Sequence, residues 1–300
     1  MIKLETFNYN ILDDLKYNPS VVLCSSRGGG KSFLLQSLMK KLDSKFKYSH
    51  IFGFSQTDKA TGQMSSFIPD NFIFDDLNNL EEIMSTRLKS DTPIKDRSNI
   101  CIVLNDISGL REQNTYNRNT RSIKNSGNLE KLFSLGRHQL KATVIVLCQS
   151  LVMISPLIRL NTDLTFFWTA KSSLVRKSIT DQYLGLVSRK EALQIYNDVF
   201  NGTPYQALVI NSWIQGTTSL REFCFKFLAP EQKKWKSKFV KRYKKDNTLS
   251  KIKKNNKIKT NDKNNIFKYY NEIEKSNNIN SHTRKSKFHK RKKIKPTNDY

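Results

Sequence analysis

The chain is short of cysteine, of acid and of long apolar runs, and each shortage removes a class of protein. Its 4 cysteines, Cys24, Cys101, Cys148 and Cys224, stand singly along 300 residues. None has a partner at metal-ligand spacing. Three lie in apolar, strand-like runs, where a thiol behaves as a small core residue. This usage fits a reducing compartment. The longest apolar stretch, residues 143–158, is broken by Gln149 and Ser150 and is too short to span a bilayer. The N-terminus, Met-Ile-Lys-Leu-Glu-Thr, lacks the apolar segment of a secretory signal. A soluble, intracellular chain without a membrane span is therefore expected. It contains no internal repeat.

Acid is scarce in one region above all. The chain carries 26 Asp and Glu against 52 Lys and Arg, a net charge of +26. Residues 231–300 hold 24 basic against 6 acidic residues, or +18, while residues 1–230 hold 28 against 20, or +8. The 37% apolar content suffices for a core, but no sustained apolar run occurs after residue 230. These shifts divide the chain into a globular domain over 1–230 and a Lys/Asn-rich basic tail over 231–300, largely disordered when free. Within the tail, residues 233–245 could form a basic helix. Trp235, Phe239 and Tyr243 are interleaved with its lysines. Such an excess points to a polyanion partner, most simply nucleic acid. A solvated tail of the composition that AT-rich coding produces is the alternative.

What the chain does have is concentrated in residues 19–39. Residues 21–24 form a short apolar strand, and residues 25–30 a small, glycine-rich turn. Lys31 and Ser32 then open a helix with Phe33, Leu34, Leu35, Leu38 and Met39 at helical spacing. Strand, glycine loop, Lys-Ser and helix is the order a phosphate cradle requires. Backbone N–H groups and the helix N-terminus face the anion, Lys31 reaches the outer phosphates and the Ser32 hydroxyl can hold Mg²⁺. Ser25 stands where the P-loop pattern has its first glycine. The candidate ATP-binding stretch is Ser25, Ser26, Arg27, Gly28, Gly29, Gly30, Lys31, Ser32 and Phe33.

Two further apolar runs end in polar residues. Residues 100–104 read as a strand buried on both faces and are followed by Asn105 and Asp106. Residues 142–148 read likewise and are followed by Gln149. Ligands of open α/β sheets bind at the carboxyl ends of the strands. Asp106 could therefore serve Mg²⁺ or polarise water, with Asn105 beside it, and Gln149 could orient water or sense the γ-phosphate if the three strands are neighbours. Between them, residues 108–126 are polar, with Arg111, Arg118, Arg121 and Lys124. They read as a long exposed loop, either a DNA contact or a surface insertion. Strands are also expected at 51–54, 165–168, 207–210 and 222–227, and helices at 77–88, 175–186 and 189–200. Alternating strands and helices indicate an α/β domain with a mainly parallel sheet.

The assembled motifs resemble the genome-packaging ATPases of the large nucleocytoplasmic DNA viruses, the poxvirus type, within the FtsK–HerA superfamily. The carriers are Val22-Leu-Cys-Ser-Ser-Arg-Gly-Gly-Gly-Lys-Ser, His50-Ile-Phe-Gly-Phe, Ile102-Val-Leu-Asn-Asp-Ile, Leu135-Gly-Arg-His, Val144-Ile-Val-Leu-Cys-Gln-Ser and Pro156-Leu-Ile-Arg-Leu-Asn. Their order and spacing agree over roughly residues 18–215. The resemblance implies a P-loop NTPase fold of the RecA/ASCE kind. It also implies an ATP- and Mg²⁺-dependent motor that moves double-stranded DNA into a capsid. Such motors work as homo-oligomeric rings, often hexameric, against capsid or portal-vertex proteins. They act in the cytoplasmic viral factory or the virion, the nucleus being the other possibility. By the same analogy Lys31 binds β/γ-phosphate, Ser32 holds the metal, Asp106 is the second Walker B acid and Gln149 the sensor. Arg137 would act across a subunit interface or, alternatively, form a structural salt bridge. Asn105 departs from the pattern, which has an acid there. A related ATPase of a virophage or polinton-like element, and a nucleotide-gated DNA-binding protein with little hydrolysis, are the alternative functions.

Overall fold

The computed structural model describes residues 3–107, 110–113, 120–122, 127–201, 203–214, 216, 219–229 and 235–253. In chain order these form β1 (Glu5–Thr6), β2 (Ser20–Cys24), α1 (Lys31–Phe46), β3 (His50–Phe54), α2 (Asp58–Thr61), β4 (Ile73–Phe74) and α3 (Asn78–Leu88). There follow β5 (Ile100–Leu104), β6 (Arg111–Gln113), β7 (Thr120–Ser122), α4 (Gly127–Leu135), β8 (Ala142–Cys148), α5 (Pro156–Leu160) and β9 (Leu164–Phe167). The described chain closes with α6 (Ser173–Tyr183), α7 (Arg189–Phe200), β10 (Gln206–Asn211), α8 (Leu220–Phe223), β11 (Cys224–Leu228) and α9 (Lys238–Lys253).

The continuous apolar runs make the centre of one nine-stranded sheet, in the order β1-β11-β10-β9-β2-β8-β5-β3-β4. Every residue of β2, β3, β5 and β8 is buried. That is why β2, β5 and β8 carry Val, Ile and Leu without alternation, and β3 Ile and Phe: helices cover both faces. The pairings from β9 to β4 are all parallel, and only β10 runs against its neighbours β9 and β11. Strand β8 lies between β2 and β5, so one strand separates the glycine loop from the Asn-Asp pair. This is the expected α/β P-loop NTPase fold of the RecA/ASCE kind.

Three expectations are corrected. Residues 222–227 are not a single strand: Leu220–Phe223 completes a helical turn, and pairing with β10 begins only at Cys224. Within 108–126, Leu110 is buried and Arg111–Gln113 and Thr120–Ser122 pair as an antiparallel ribbon, where a loop was expected; the other residues there, Arg118 and Lys124 included, lie outside the described residues. The boundary at 230 is also displaced, since the compact unit that carries the site extends to Ile252. Phe239 and Val240 of α9 are 2% and 4% exposed. Phe239 packs on Phe72 and His50, with ring centroids 4.9 Å and 5.2 Å away. Charge alone suggested a free tail, but Phe239 and Tyr243 find a seat on the β3–β4 side of the sheet; residues 254–300 of the expected tail lie outside the described residues.

Residues 3–15, silent in the sequence, add the opposite edge. Phe7 is 2% exposed and meets Phe166, Phe225 and Phe227 edge-on, while β1 pairs in parallel with β11.

Candidate functional site

The sheet register brings the three polar strand ends together. Cys24 pairs with Cys148, and Leu104 with Val146, so Ser25, Gln149 and the Asn105–Asp106 pair emerge at one edge. Ser25 N–H continues the ladder to Cys148 O at 3.1 Å. There the chain leaves the sheet and turns through the glycines into α1.

Each glycine has its own reason. Gly28 and Gly30 have φ of +75° and +99°, which side chains with a Cβ rarely adopt. Gly29 has ordinary φ, but a Cβ there would stand 1.8 Å from Ser25 Oγ. Ser25 therefore fills the space the usual first glycine would leave, and Gly29 admits it. Ser25 itself is 3% exposed, and its hydroxyl donates to Ser26 O at 3.0 Å.

Lys31 opens α1 directly after Gly30. Its Nζ folds back over the loop and donates to the carbonyls of Ser25 and, at 3.0 Å, Ser26. Burial lowers the Lys31 pKa from its ordinary value, while Cys148, Cys24 and Asp106 oppose that shift. A phosphate oxygen arriving beside the ammonium would replace these neutral acceptors with a charged one.

Asp106 has φ +49°, a left-handed conformation that Asp tolerates better than most residues. The bend lets Ile107 N–H bond Leu147 O at 3.4 Å. It also sets the Asp106 carboxylate against Gln149, whose Nε2 donates to Asp106 Oδ1 at 3.1 Å. Asn105 is 7% exposed, and its Nδ2 lies 3.5 Å from Gln63 Oε1. The same Gln63 oxygen accepts from the Ser32 hydroxyl at 2.8 Å.

These groups enclose a cavity of about 550 Å³, lined by Arg27–Phe33, Thr57, Thr61, Gln63, Asn105, Asp106 and Leu147–Gln149. A second cavity of about 480 Å³ lies on the other flank of the loop. It shares Arg27–Gly29 with the first, is also lined by Ser25 and Ser26, and is walled by Trp168, Thr169, Phe200, Thr203, Pro204, Tyr205 and Gln206. There the Trp168 indole N–H donates to Tyr205 O at 3.0 Å. Among the described residues no cluster of three His, Cys, Asp or Glu could hold a metal. The oxygens of Ser32, Asn105 and Asp106 suit Mg²⁺, which takes few protein ligands and completes its shell with phosphate and water.

The expected residues Ser25–Phe33, Asn105, Asp106 and Gln149 thus share one edge. Arg137 does not join them. It precedes β8, at the opposite end of the parallel strands, about 20 Å away along a seven-residue strand. Its guanidinium pairs with Asp163, whose other oxygen accepts from Ser20 N at 2.7 Å and Ser20 Oγ at 2.8 Å. Within this chain Arg137 is the structural salt bridge, tying the starts of β2, β8 and β9. Gln63, Trp168 and Tyr205 were not expected at the site. Trp168 had a signal, since it ends an apolar run like the others, whereas Gln63 and Tyr205 sit in connections with no motif.

No protein-family model matches the chain. It is similar to Uncharacterized protein 088R of Invertebrate iridescent virus 3, with 24% identity over 222 residues, covering 74% of this chain and 79% of that protein. Among solved structures it is similar to the genome packaging NTPase B204 of Sulfolobus turreted icosahedral virus 2 in complex with sulfate. The TM-score is 0.50 at 12% identity, over 73% of this chain and 100% of that one. The pCW3 conjugation coupling protein TcpA with ATPγS gives a TM-score of 0.49 at 11% identity, over 85% of this chain and 75% of that one. At such identities the likeness is one of fold: the chain shares the fold of the genome packaging NTPase B204.

Proposed function

We propose that the chain is an ATPase whose turnover drives double-stranded DNA into a viral capsid, working as a homo-oligomeric ring. The observation that carries the reading is the meeting of the glycine loop, the Asn105–Asp106 pair and Gln149 on three adjacent parallel strands. ATP phosphates occupy the larger cavity, held by loop N–H groups, the N-terminus of α1 and Lys31. The nucleoside extends over the loop into the second cavity, against Tyr205 and Pro204. Ser32, Asn105 and Asp106 would hold Mg²⁺, which would supply positive charge beside the phosphates. Water attacks the γ-phosphorus in line, the bond to the ADP oxygen breaks, and Asp106 accepts the proton from the attacking water. Gln149 fixes the Asp106 carboxylate and presents its amide to the same water.

The viral source of two of the three similar proteins and the excess of basic residues support DNA and capsid as partners. A second reading rests on Asn105. With an amide in place of an acid the site has a single carboxylate, which suits a nucleotide-gated DNA-binding switch with little turnover. Steady-state ATP hydrolysis by the purified full chain, with and without long double-stranded DNA and beside Lys31→Ala, separates the two. DNA-stimulated turnover that Lys31→Ala abolishes supports the motor. ATP binding without turnover supports the switch, and absence of ATP binding overturns both.

A further inference from the structure

Gln63 reaches into the phosphate cavity from the connection after β3. Its Oε1 is the acceptor for the Ser32 hydroxyl at 2.8 Å. A hydroxyl has one proton and two lone pairs. Once the proton is given to Gln63, the lone pairs are turned away from it and are left to face a cation.

The segment that carries Gln63 is internally braced. Asp58 is 1% exposed, and its carboxylate accepts from Met64 N at 2.7 Å and from the Ser65 hydroxyl at 3.1 Å. Met64 and Ile68 lie directly on β3. A Cβ at Gly53 would stand 3.0 Å from Ile68 Cδ1 and 3.1 Å from Met64 Cε, so the strand's glycine is what admits them. At its far end Phe67 O accepts a 2.6 Å hydrogen bond from the Ser237 hydroxyl. Ser237 is fully buried, and its oxygen also accepts from Val240 N at 3.1 Å, capping α9. The Phe67 ring lies alongside Trp235, centroids 6.0 Å apart. Four residues of chain therefore join a side chain in the phosphate cavity to the anchor of the basic C-terminal helix.

We propose that Gln63 is a positioning residue that orients the Ser32 hydroxyl for the divalent cation, and that residues 57–68 carry its movement to the start of α9. The inference rests on the nucleotide reading above. Packed, hydrogen-bonded segments shift as units, so a displaced Gln63 side chain is felt at Phe67 and Trp235.

The test uses the full chain with Trp168→Phe and Trp213→Phe, which leaves Trp235 as the one tryptophan of 3. Calorimetry reads ATPγS binding, and Mg²⁺ is titrated at saturating ATPγS while Trp235 emission is followed. The emission should change as Mg²⁺ fills the site. Gln63→Ala should raise the Mg²⁺ half-saturation at least fivefold at saturating ATPγS and abolish the emission change. Gln63→Glu, a stronger acceptor beside the neutral Asn105, should lower the half-saturation. A merely structural Gln63 would move both variants the same way, and that result overturns the positioning role. Flat Trp235 emission where calorimetry records binding overturns the connection to α9 while sparing the nucleotide reading. Absence of ATPγS binding by the unsubstituted chain removes that reading and this inference together.

Discussion

Ser25 and Gly29 act as one unit. The loop departs from the glycine pattern at position 25, and the departure is accommodated because position 29 has no side chain. Gly29→Ala should weaken ATP binding at least tenfold, since the added Cβ and Ser25 Oγ cannot occupy their present positions. Ser25→Gly in the same chain should recover much of the loss, because the 1.8 Å encounter is with the serine oxygen. Calorimetry on the single and double variants measures the coupling. Arg137 is a second residue whose meaning depends on its neighbour. Removing it leaves the Asp163 carboxylate, side chain 8% exposed, without its cation. Arg137→Ala should lower stability by about 1–3 kcal/mol in urea unfolding, with ATP affinity unchanged. Unaltered stability would leave the structural role without support.

At the level of elements, α9 changes what β3 can hold. His50 begins β3 fully buried, against Phe52 and Phe72 and under Phe239 of α9. Burial, with Arg242 and Arg87 adding to it, pushes its pKa down to about 3. The unfolded chain takes up that proton near pH 6.5. Between about 6.5 and about 3 the unfolded state therefore binds more protons than the folded state. The contribution of neutral His50 is present in full above pH 6.5 and is lost as pH falls through that window. In urea unfolding from pH 7 to pH 4, His50→Asn should cost about 1–2 kcal/mol at pH 7 through lost packing. Its stability should then fall less steeply with acid, by up to about 1.4 kcal/mol per pH unit. An unchanged slope would mean that another group governs the acid response. The seat is specific: Arg242 donates to Tyr48 O at 2.7 Å and Ser49 O at 3.1 Å, and Asn71 to the Tyr243 hydroxyl at 2.9 Å.

For the whole molecule, the basic C-terminal region divides at α9 and not at residue 230. Ending the chain at residue 230 removes the burial of Phe239 and Val240 and should destabilise the domain by about 3 kcal/mol or more. Ending it at residue 253 keeps that burial and removes 14 basic and 4 acidic residues. The second truncation should unfold like the full chain but bind DNA more weakly, with a flatter dependence on salt. Equal DNA affinity in both chains would assign the polyanion contact to the domain. Among the described residues no helix is long and apolar enough to cross a membrane.

The sequence by itself determined the sheet's central strands, because residues buried on both faces must be apolar without alternation, as in 21–24, 100–104 and 142–148. It also determined the glycine loop, since the positive φ of Gly28 and Gly30 is a local backbone requirement and Lys31 and Ser32 follow directly in the chain. It located the polar strand ends Asn105, Asp106 and Gln149, each visible as a break after an apolar run. Only the tertiary structure decided what depends on partners distant in the chain. Gln63 meets Ser32 across 31 residues, Arg137 is committed to Asp163, and Phe239 finds His50 and Phe72 from beyond residue 230. Local pattern carries backbone conformation and burial; it does not carry which distant surface a single polar or aromatic side chain will meet. That is settled when strands β2, β8, β5 and β3 come into register and fix which ends share an edge.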